Sequence, residues 1–308
     1  MLKTEKIKLK RAGFIIKHRN PEAAALALDI AQILLRNRIK VYFASESTET
    51  ADELKKINKK FSGPKNKIQV IEKNKMVQNT DLIIVLGGDG TYLSIARLMR
   101  KRSVPVMGIN MGQLGFLTEI KQSEAFDTVN DVIQGKPIYY SERALLEVTL
   151  QRNGKTVFQG PVVNDAVIAK GAIARIIGIQ IAMNGKIVNT LRADGLIVST
   201  PTGSTAYSLS AGGPIVEPSL GALILTPICP HSLTQRPLVV PDHSELKIRL
   251  SDRPGNVYLT LDGQDAVSFE AEDIMTVRRY KKHSLKLIAS PTRDYFGLLQ
   301  EKLLFGVR

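Results

Sequence analysis

A short apolar run followed at once by a glycine-rich turn constrains the fold more than any other stretch. Residues 81–86 read Asp-Leu-Ile-Ile-Val-Leu, and 87–91 read Gly-Gly-Asp-Gly-Thr. A β-branched run bounded by glycines is typical of a buried strand, and 91–101 has apolar positions near helical spacing. Such a turn offers main-chain N–H groups and a positive helix end to an anion. It therefore predicts a phosphate-binding turn, although an ordinary tight turn with a helix-capping aspartate has the same pattern.

The acidic residue in this turn, Asp89, does not suit phosphate binding, because a carboxylate repels phosphate. An acid at this position is better explained as a base toward a hydroxyl group or as a partner of a phosphate-bound metal. The turn is therefore a candidate for chemistry as well as for binding.

The composition is that of a soluble globular protein large enough for one or two domains, with 44% hydrophobic and 23% charged residues among 308. No apolar run reaches membrane-spanning length, and a single cysteine, Cys229, points to a reducing cytoplasm. The net charge is +14, and residues 1–80 hold 18 Lys and Arg against 8 Asp and Glu. Because no nucleic-acid-binding motif accompanies this charge, we expect neither a nucleic-acid nor a membrane partner. The role of the basic segment 55–75 stays open.

The first part of the chain alternates strands and helices, which predicts a parallel, Rossmann-like sheet covered by helices. Asn20-Pro21 is a typical helix start. We assign residues 1–137 to this α/β domain, with ligands at the carboxyl ends of its strands. The predicted strands are 12–17, 39–43, 81–86 and 104–109, and the predicted helices are 22–36, 48–60, 91–101 and 123–134.

Short strands and tight turns dominate after residue 137, which predicts an all-β, sandwich-like domain over 138–290. Asn153-Gly154 and Asn184-Gly185 are hairpin signals. The tail, 291–308, is helical over 293–304 by pattern, and we expect it to pack back on the first domain. The predicted strands are 144–151, 156–158, 162–163, 166–169, 175–183, 186–189, 196–199, 222–225, 238–240, 245–250 and 257–262.

A second stretch, 194–214, joins a buried strand to a loop rich in serine, threonine and glycine. Linkers of low complexity do not usually follow core strands. Hydroxyl groups and glycines after a strand suit contacts to phosphate, ribose or an adenine edge. A surface loop is the alternative explanation.

Four stretches in this order resemble the bacterial NAD kinases: Gly-Gly-Asp-Gly-Thr at 87–91, Asn164-Asp165, the 194–214 block, and 230–238. The resemblance extends from about residue 12 to the C-terminus. It implies an α/β domain and a β-rich domain with the active site between them. The 200–214 block is the most specific part, because the glycine turn is shared with lipid kinases.

The resemblance implies transfer of a phosphoryl group from ATP, or from polyphosphate in some members, to the adenosine-ribose 2′-hydroxyl of NAD. It implies a divalent cation, with Mg²⁺ expected, and a homodimer or homotetramer. Asp89 corresponds to the general base on that hydroxyl. Asp165 departs from the glutamate common at its position. The residues that correspond to nucleotide contacts are Gly88, Gly90, Thr91, Asn164, Asp165, Arg175, Arg192, Asp194, Thr205, Ala206, Tyr207, Ser208, Leu209, Ser210 and Gln264; the metal ligands stay unknown.

Purely structural roles are also compatible with several of these residues. Asn164 could be a turn residue, and Tyr207 could lie in the core. Arg192 could be a charge at a strand end, and Asp262-Gly263, beside Gln264, could form a hairpin turn. His231 receives no chemical step. A lipid kinase, a dinucleotide sensor on the same scaffold and a basic RNA-binding protein are the competing functions.

Overall fold

A computed structural model describes residues 2–45, 68–100, 102–112, 115–172, 175–252, 255–290 and 292–304. The chain divides into two compact units. One comprises Met1–Glu142 with Leu285–Arg308, and the other comprises Arg143–Ser284. In the described part of the chain, no helix is long and apolar enough to cross a membrane.

The first unit is built on one sheet whose strands run in the order β1-β8-β21-β6-β5-β2-β3-β4, with β7 beside β6. The central strands β5, β6, β2 and β3 pair in parallel, whereas β1 pairs with β8 in the antiparallel sense. All residues of β5 and β6 are buried, as expected for strands covered on both faces. The strands are β1 (Lys3–Glu5), β2 (Arg11–Ile16), β3 (Lys40–Ala44), β4 (Gln69–Ile71), β5 (Leu82–Gly87), β6 (Val106–Asn110), β7 (Ile120–Lys121), β8 (Ile138–Arg143) and β21 (Leu285–Ile288).

The first helix forms as predicted. It begins after Asn20, whose side chain accepts a hydrogen bond from the N–H of Ala23 at 3.0 Å, and Pro21 occupies the first helical position. Its apolar face joins the buried core of this unit. The helices of the unit are α1 (Pro21–Arg36), α2 (Met76–Asn79), α3 (Asp89–Ala96), α4 (Gln122–Ile133) and α6 (Tyr295–Leu303), with short 3₁₀ turns at Lys73–Lys75 and Arg97–Arg100.

The helix after the glycine turn differs from the predicted range 91–101. It begins at Asp89, because the carbonyl of Gly88 already accepts the N–H groups of Thr91 and Tyr92 at 3.0 and 3.3 Å. It ends at Ala96, where a 3₁₀ turn with non-helical angles at Met99 follows. The helix predicted over 48–60 lies outside the described residues, as does much of the basic segment 55–75.

The second unit is a sandwich of two antiparallel sheets. Their strand orders are β10-β9-β20-β17-β12-β13 and β16-β15-β14-β11-β18-β19, and one apolar core is drawn from both sheets. The strands are β9 (Leu146–Arg152), β10 (Lys155–Val162), β11 (Asp165–Lys170), β12 (Ile177–Met183), β13 (Lys186–Ala193), β14 (Gly195–Ser199), β15 (Ala222–Ile228), β16 (Leu238–Pro241), β17 (Leu246–Leu250), β18 (Val257–Leu261), β19 (Asp265–Ser268) and β20 (Asp273–Arg279), with one short helix, α5 (Tyr207–Ser210), among the described residues.

The predicted hairpin turns at Asn153-Gly154 and Asn184-Gly185 are present. Both residues of each pair have positive φ, at 49° and 76° and at 51° and 83°. Asp262-Gly263 forms a third such turn, between β18 and β19. The predicted fold class, a parallel α/β domain joined to an all-β domain, is confirmed, although β1, β4, β7, β8 and β19 to β21 were not predicted.

Candidate active site

The glycine turn leaves open space at two of its glycines. Side-chain atoms added at Gly88 or Gly90 would meet nothing within 4 Å, and neither residue has a positive φ. At Gly87, by contrast, an added Cβ would lie 2.7 Å from Oγ1 of Thr91. The fold therefore requires glycine at 87 but not at 88 or 90, and the open space at these two positions would let a ligand approach the backbone closely.

The Asp89 side chain is held by a loop that follows the neighbouring strand β6. Its Oδ2 accepts the N–H of Phe116 at 2.9 Å, and its Oδ1 accepts the N–H of Leu117 at 3.1 Å. The hydroxyl of Thr118 also donates to Oδ1, at 3.3 Å. These contacts fix the carboxylate beside the turn.

Two further features of the same loop support this arrangement. A side chain at Gly115 would overlap Oδ1 of Asp89, so only glycine allows the carboxylate to approach here. The buried amide of Asn110 donates to the Thr118 hydroxyl at 3.0 Å, and its carbonyl oxygen accepts the N–H of Gly112 at 2.7 Å. Because its oxygen is occupied by the Asn110 amide, the Thr118 hydroxyl is oriented to donate toward Asp89.

In the second unit, the Asp262 carboxylate organises the residues around Asn164-Asp165. It accepts the N–H groups of Val163 at 3.0 Å, Asn164 at 2.7 Å and Asp165 at 3.2 Å. Because hydrogen bonds from several main-chain N–H groups favour the ionised form of a carboxyl group, Asp262 carries the negative charge here.

The Asp165 side chain is buried beside this charge, with 4% of its surface exposed. Burial raises the pKa of the Asp165 carboxyl to about 7, and the charge of Asp262 adds to the rise. Asp165 therefore keeps a protonated population close to neutral pH. In that state it can donate a hydrogen bond as well as accept one.

Several predicted ligand residues meet at a cavity of about 410 Å³ within the second unit. Tyr207 is 48% exposed, which rules out the alternative of a core tyrosine. A partly exposed ring at the mouth of a cavity can stack on a base. The cavity is lined by Asn164, Asp165, Val167, Ala169, Ala206, Tyr207, Thr260, Asp262 and Gly263.

The hydroxyl groups of the 194–214 block serve mainly to hold the loop. Thr200 donates to the carbonyl of Val163 at 2.5 Å, and Ser204 donates to the carbonyl of Pro201 at 2.6 Å. The hydroxyl of Ser208 is buried and shares a hydrogen bond with Thr226 at 2.8 Å. This loop is therefore a rigid support, and within it Thr205, Leu209 and Ser210 are at least partly accessible.

The other predicted contacts do not line this cavity. Arg175, Arg192 and Gln264 are exposed, and Asp194 pairs with Lys170 at 3.4 Å. Asp194 precedes β14, whereas Ser199 at the other end pairs with Asp165, which separates them by roughly 17 Å along the strand. The main-chain N–H of His231 donates to the carbonyl of Arg192 at 2.9 Å, a structural contact.

Two parts of the site were not predicted from the sequence. The 115–118 loop was not predicted, although Asn110 is the last residue of β6, a buried strand next to β5, and ligand-binding loops are expected after such strands. Asp262 was interpreted only as a turn residue. The turn is present, and its carboxylate also anchors Asn164-Asp165.

A glycine turn at the carboxyl edge of a parallel sheet, beside a fixed carboxylate, defines a nucleotide-binding α/β unit, here joined to a β-sandwich that carries its own cavity. Comparison with known families is specific for both parts. Residues 12–137 match the ATP-NAD kinase N-terminal domain, and residues 163–290 match the ATP-NAD kinase C-terminal domain. The chain belongs to the NAD kinase family and is a phosphotransferase.

Individual relatives agree with this assignment. The chain is 40% identical over 300 residues to an NAD kinase of Syntrophotalea carbinolica. This alignment covers 97% of this chain and 100% of the relative. The chain is also 48% identical over 228 residues to an NAD kinase of Geobacter metallireducens. That alignment covers 74% of this chain and 80% of the relative.

Solved structures show the same fold. A yeast NADH kinase crystallised with NADH superposes with a TM-score of 0.86 at 26% identity, over 97% of this chain and 89% of that one. An NAD kinase of Archaeoglobus fulgidus has a TM-score of 0.69 at 24% identity, over 94% of this chain and 99% of that one. The family assignment excludes the lipid-kinase alternative.

Proposed function

We propose that this enzyme transfers the terminal phosphoryl group of ATP to the adenosine-ribose 2′-hydroxyl of NAD, with Asp89 as the general base. The observation that carries the proposal is the fixed Asp89 carboxylate beside two glycines that the fold itself does not require. An aspartate held next to an open glycine turn suits a reaction in which a hydroxyl loses a proton while a phosphate is bound nearby.

The protein contributes mainly position and charge to such a reaction, because phosphoryl transfer passes through a loose transition state. The positive amino-terminal end of α3 and the open space at Gly88 and Gly90 let phosphate oxygens approach the turn, and Asp89 accepts the proton of the attacking hydroxyl. The 115–118 loop keeps the carboxylate in one orientation.

The adenosine part of NAD is proposed to occupy the cavity of the second unit. Tyr207 offers a ring face, and Asn164 and Asp165 offer polar groups at the cavity wall. Since the pKa of Asp165 is raised to about 7, its carboxyl group suits either a donor or an acceptor on the ligand. The roles predicted for Arg175, Arg192, Asp194 and Gln264, and the homo-oligomer, stay predictions.

A divalent cation is implied by the family. Among the described residues, no group of three His, Cys, Asp or Glu side chains could hold one. Both oxygens of Asp89 already accept protein hydrogen bonds. The side chains in the described part of the chain therefore do not form a protein cage for Mg²⁺, an ion that usually binds through substrate phosphates and water.

Asp89→Asn tests the assignment, with Asp127→Asn, an exposed carboxylate on α4, as the matched control. NADP formation is measured with NAD, ATP and Mg²⁺, and NAD affinity is measured in parallel. We expect Asp89→Asn to lose roughly 10²- to 10⁴-fold in kcat while it still binds NAD, and Asp127→Asn to match wild type.

Two outcomes would contradict the proposal in different ways. An active Asp89→Asn enzyme would show that Asp89 is not the base. A wild-type protein that binds NAD but transfers nothing from ATP or from polyphosphate would be a dinucleotide sensor.

A further inference from the structure

The glycine turn is short of positive charge. Residues 81–95 contain Asp81 and Asp89 but no Lys or Arg, and the sequence has no GxxxxGK[ST] phosphate-binding loop. Asp81 is paired with Arg11 at 2.8 Å at the opposite end of β5. A turn that binds a triphosphate beside Asp89 needs cations from elsewhere to neutralise the phosphate charge.

The neighbouring strand β2 delivers cations to this position. β2 and β5 run in parallel, with Ile16 opposite Leu86, and the N–H of Lys17 donates to the carbonyl of Leu86 at 2.8 Å. The basic segment Lys17-His18-Arg19 therefore leaves the sheet beside Gly87, where the glycine turn begins.

The Lys17 side chain starts on the same flank of the turn as Thr91. The Cβ of Lys17 lies 3.1 Å, and Oγ1 of Thr91 lies 2.7 Å, from the point where a Cβ of Gly87 would stand. Glycine at 87 makes room for both side chains. The flexible four-carbon stem of Lys17 then lets its ammonium group reach a phosphate bound at the turn.

Arg19, the last residue of this basic segment, has an unusual backbone conformation. Its φ is +54°, in the left-handed region that non-glycine residues rarely adopt, directly before the Asn20 cap of α1. Lys17 and Arg19 are both exposed, and neither forms an ion pair with another described residue. Both cations are therefore available to an anionic ligand.

We propose that Lys17 and Arg19 bind the phosphate chain of the donor and supply the positive charge that the glycine turn lacks. Lys17, adjacent to Gly87, contacts the phosphates nearest the turn, and Arg19 contacts the chain further out. This inference rests on the proposed function, because it concerns the donor of the same reaction. It assigns the donor site to the first unit and gives that site a recognition element for any linear phosphate chain.

Binding without turnover tests this directly. The affinities of wild type, Lys17→Gln and Arg19→Gln are measured by calorimetry for Mg²⁺ with a non-hydrolysable ATP analogue, for tripolyphosphate and for NAD. Lys40→Gln is the matched control, because Lys40 is an exposed lysine at the amino end of β3, at the opposite edge of the sheet.

We expect Lys17→Gln to weaken both phosphate ligands by about tenfold or more, Arg19→Gln to weaken them less, and NAD binding to stay unchanged in both. Lys17→Arg should restore most of the affinity, since the charge is kept. The KM for ATP should rise in the same order, with a smaller change in the KM for NAD.

Three results would overturn the inference: wild-type affinity in Lys17→Gln and Arg19→Gln, an equal loss in Lys40→Gln, or no tripolyphosphate binding by wild type. Because phosphate binding is measured without chemistry, a Lys17-dependent site would still be detected in a protein that makes no NADP. The failure of the proposed function and the failure of this inference are therefore distinct.

Discussion

The hydroxyl of Thr118 donates to Oδ1 of Asp89 across 3.3 Å. The amide of Asn110 in turn donates to that hydroxyl at 3.0 Å. The carboxylate assigned as the base thus belongs to a hydrogen-bonded chain that starts in β6, the neighbour of the strand β5 that precedes Asp89. Since Thr118 and Asn110 are buried, this chain fixes the direction of the carboxylate with little freedom.

Thr118→Val should therefore affect the chemical step more than binding. The substitution keeps the shape of the side chain but removes the donor to Asp89, and it also removes the hydroxyl to which the Asn110 amide donates. We expect kcat to fall about tenfold, with both KM values little changed, and stability to fall by about 1–3 kcal/mol. Steady-state kinetics and denaturant unfolding measure the two effects.

Thr118→Ser is the control for this prediction. It restores the hydroxyl while it deletes a buried methyl group, so it should regain most of kcat yet stay less stable than wild type. If Thr118→Ser and Thr118→Val lost activity equally, the hydroxyl would have a packing role only.

Gly115→Ala should move the base itself. A methyl group there would overlap Oδ1 of Asp89, so the carboxylate or the loop must shift. We expect a loss of about 100-fold in kcat, since catalysis is sensitive to displacements of about 1 Å. Gly112→Ala is the matched control, because a methyl group at that glycine would meet nothing within 4 Å. Equal activity of the two variants would contradict the arrangement described for Asp89.

Alanine substitutions at Gly90 and Gly87 should change the stability of the protein in opposite directions. Gly90→Ala places a methyl group in open space within α3, which should raise stability by about 0.5–1 kcal/mol. The same methyl group should lower ATP affinity, because it blocks close approach of the nucleotide. Gly87→Ala should instead destabilise the fold through its clash with Thr91. Thermal unfolding and ATP-analogue binding of both variants test this, and unchanged nucleotide binding in Gly90→Ala would refute the ligand role.

Local signals explain what could be predicted from the sequence. Asn20-Pro21 marks the start of α1, and Asn-Gly pairs mark two hairpins, because capping and turn geometry depend on adjacent residues. Strands such as β1, β8 and β21 were not predicted. They are short or partly polar, and each pairs with a strand far away in the chain. Their existence depends on long-range partners, which no local pattern specifies.

The candidate site shows the same difference between local and long-range signals. Asp89 and Asn164-Asp165 were found from their own neighbourhoods. The partners that give them their properties, the 115–118 loop and Asp262, come from distant positions and reach them only in the folded chain. The raised pKa of Asp165 therefore had no signal in the sequence, since it depends on burial and on the charge of Asp262.

That raised pKa makes stability depend on pH. Asp165 titrates near 3.9 in an unfolded chain and near 7 in the fold, so between these values folding takes up a proton. The contribution of Asp165 therefore lowers the free energy of unfolding as pH rises from about 4 to about 7, and it is constant above that. In the ligand-free protein, Asp165→Asn should remove this decline and gain roughly 2–4 kcal/mol over wild type at pH 8, but much less at pH 5.

Asp262→Asn separates the two causes of the shift. Asparagine tolerates the left-handed φ of 49° and so keeps the turn, but it removes the charge next to Asp165. Since burial is the larger cause, we expect the Asp165 titration to move only part of the way back toward its ordinary value. Carboxyl chemical shifts followed by NMR, with urea unfolding at several pH values, measure both variants. If Asp165→Asn kept the pH dependence of wild type, another group would be responsible, because asparagine does not titrate in this pH range.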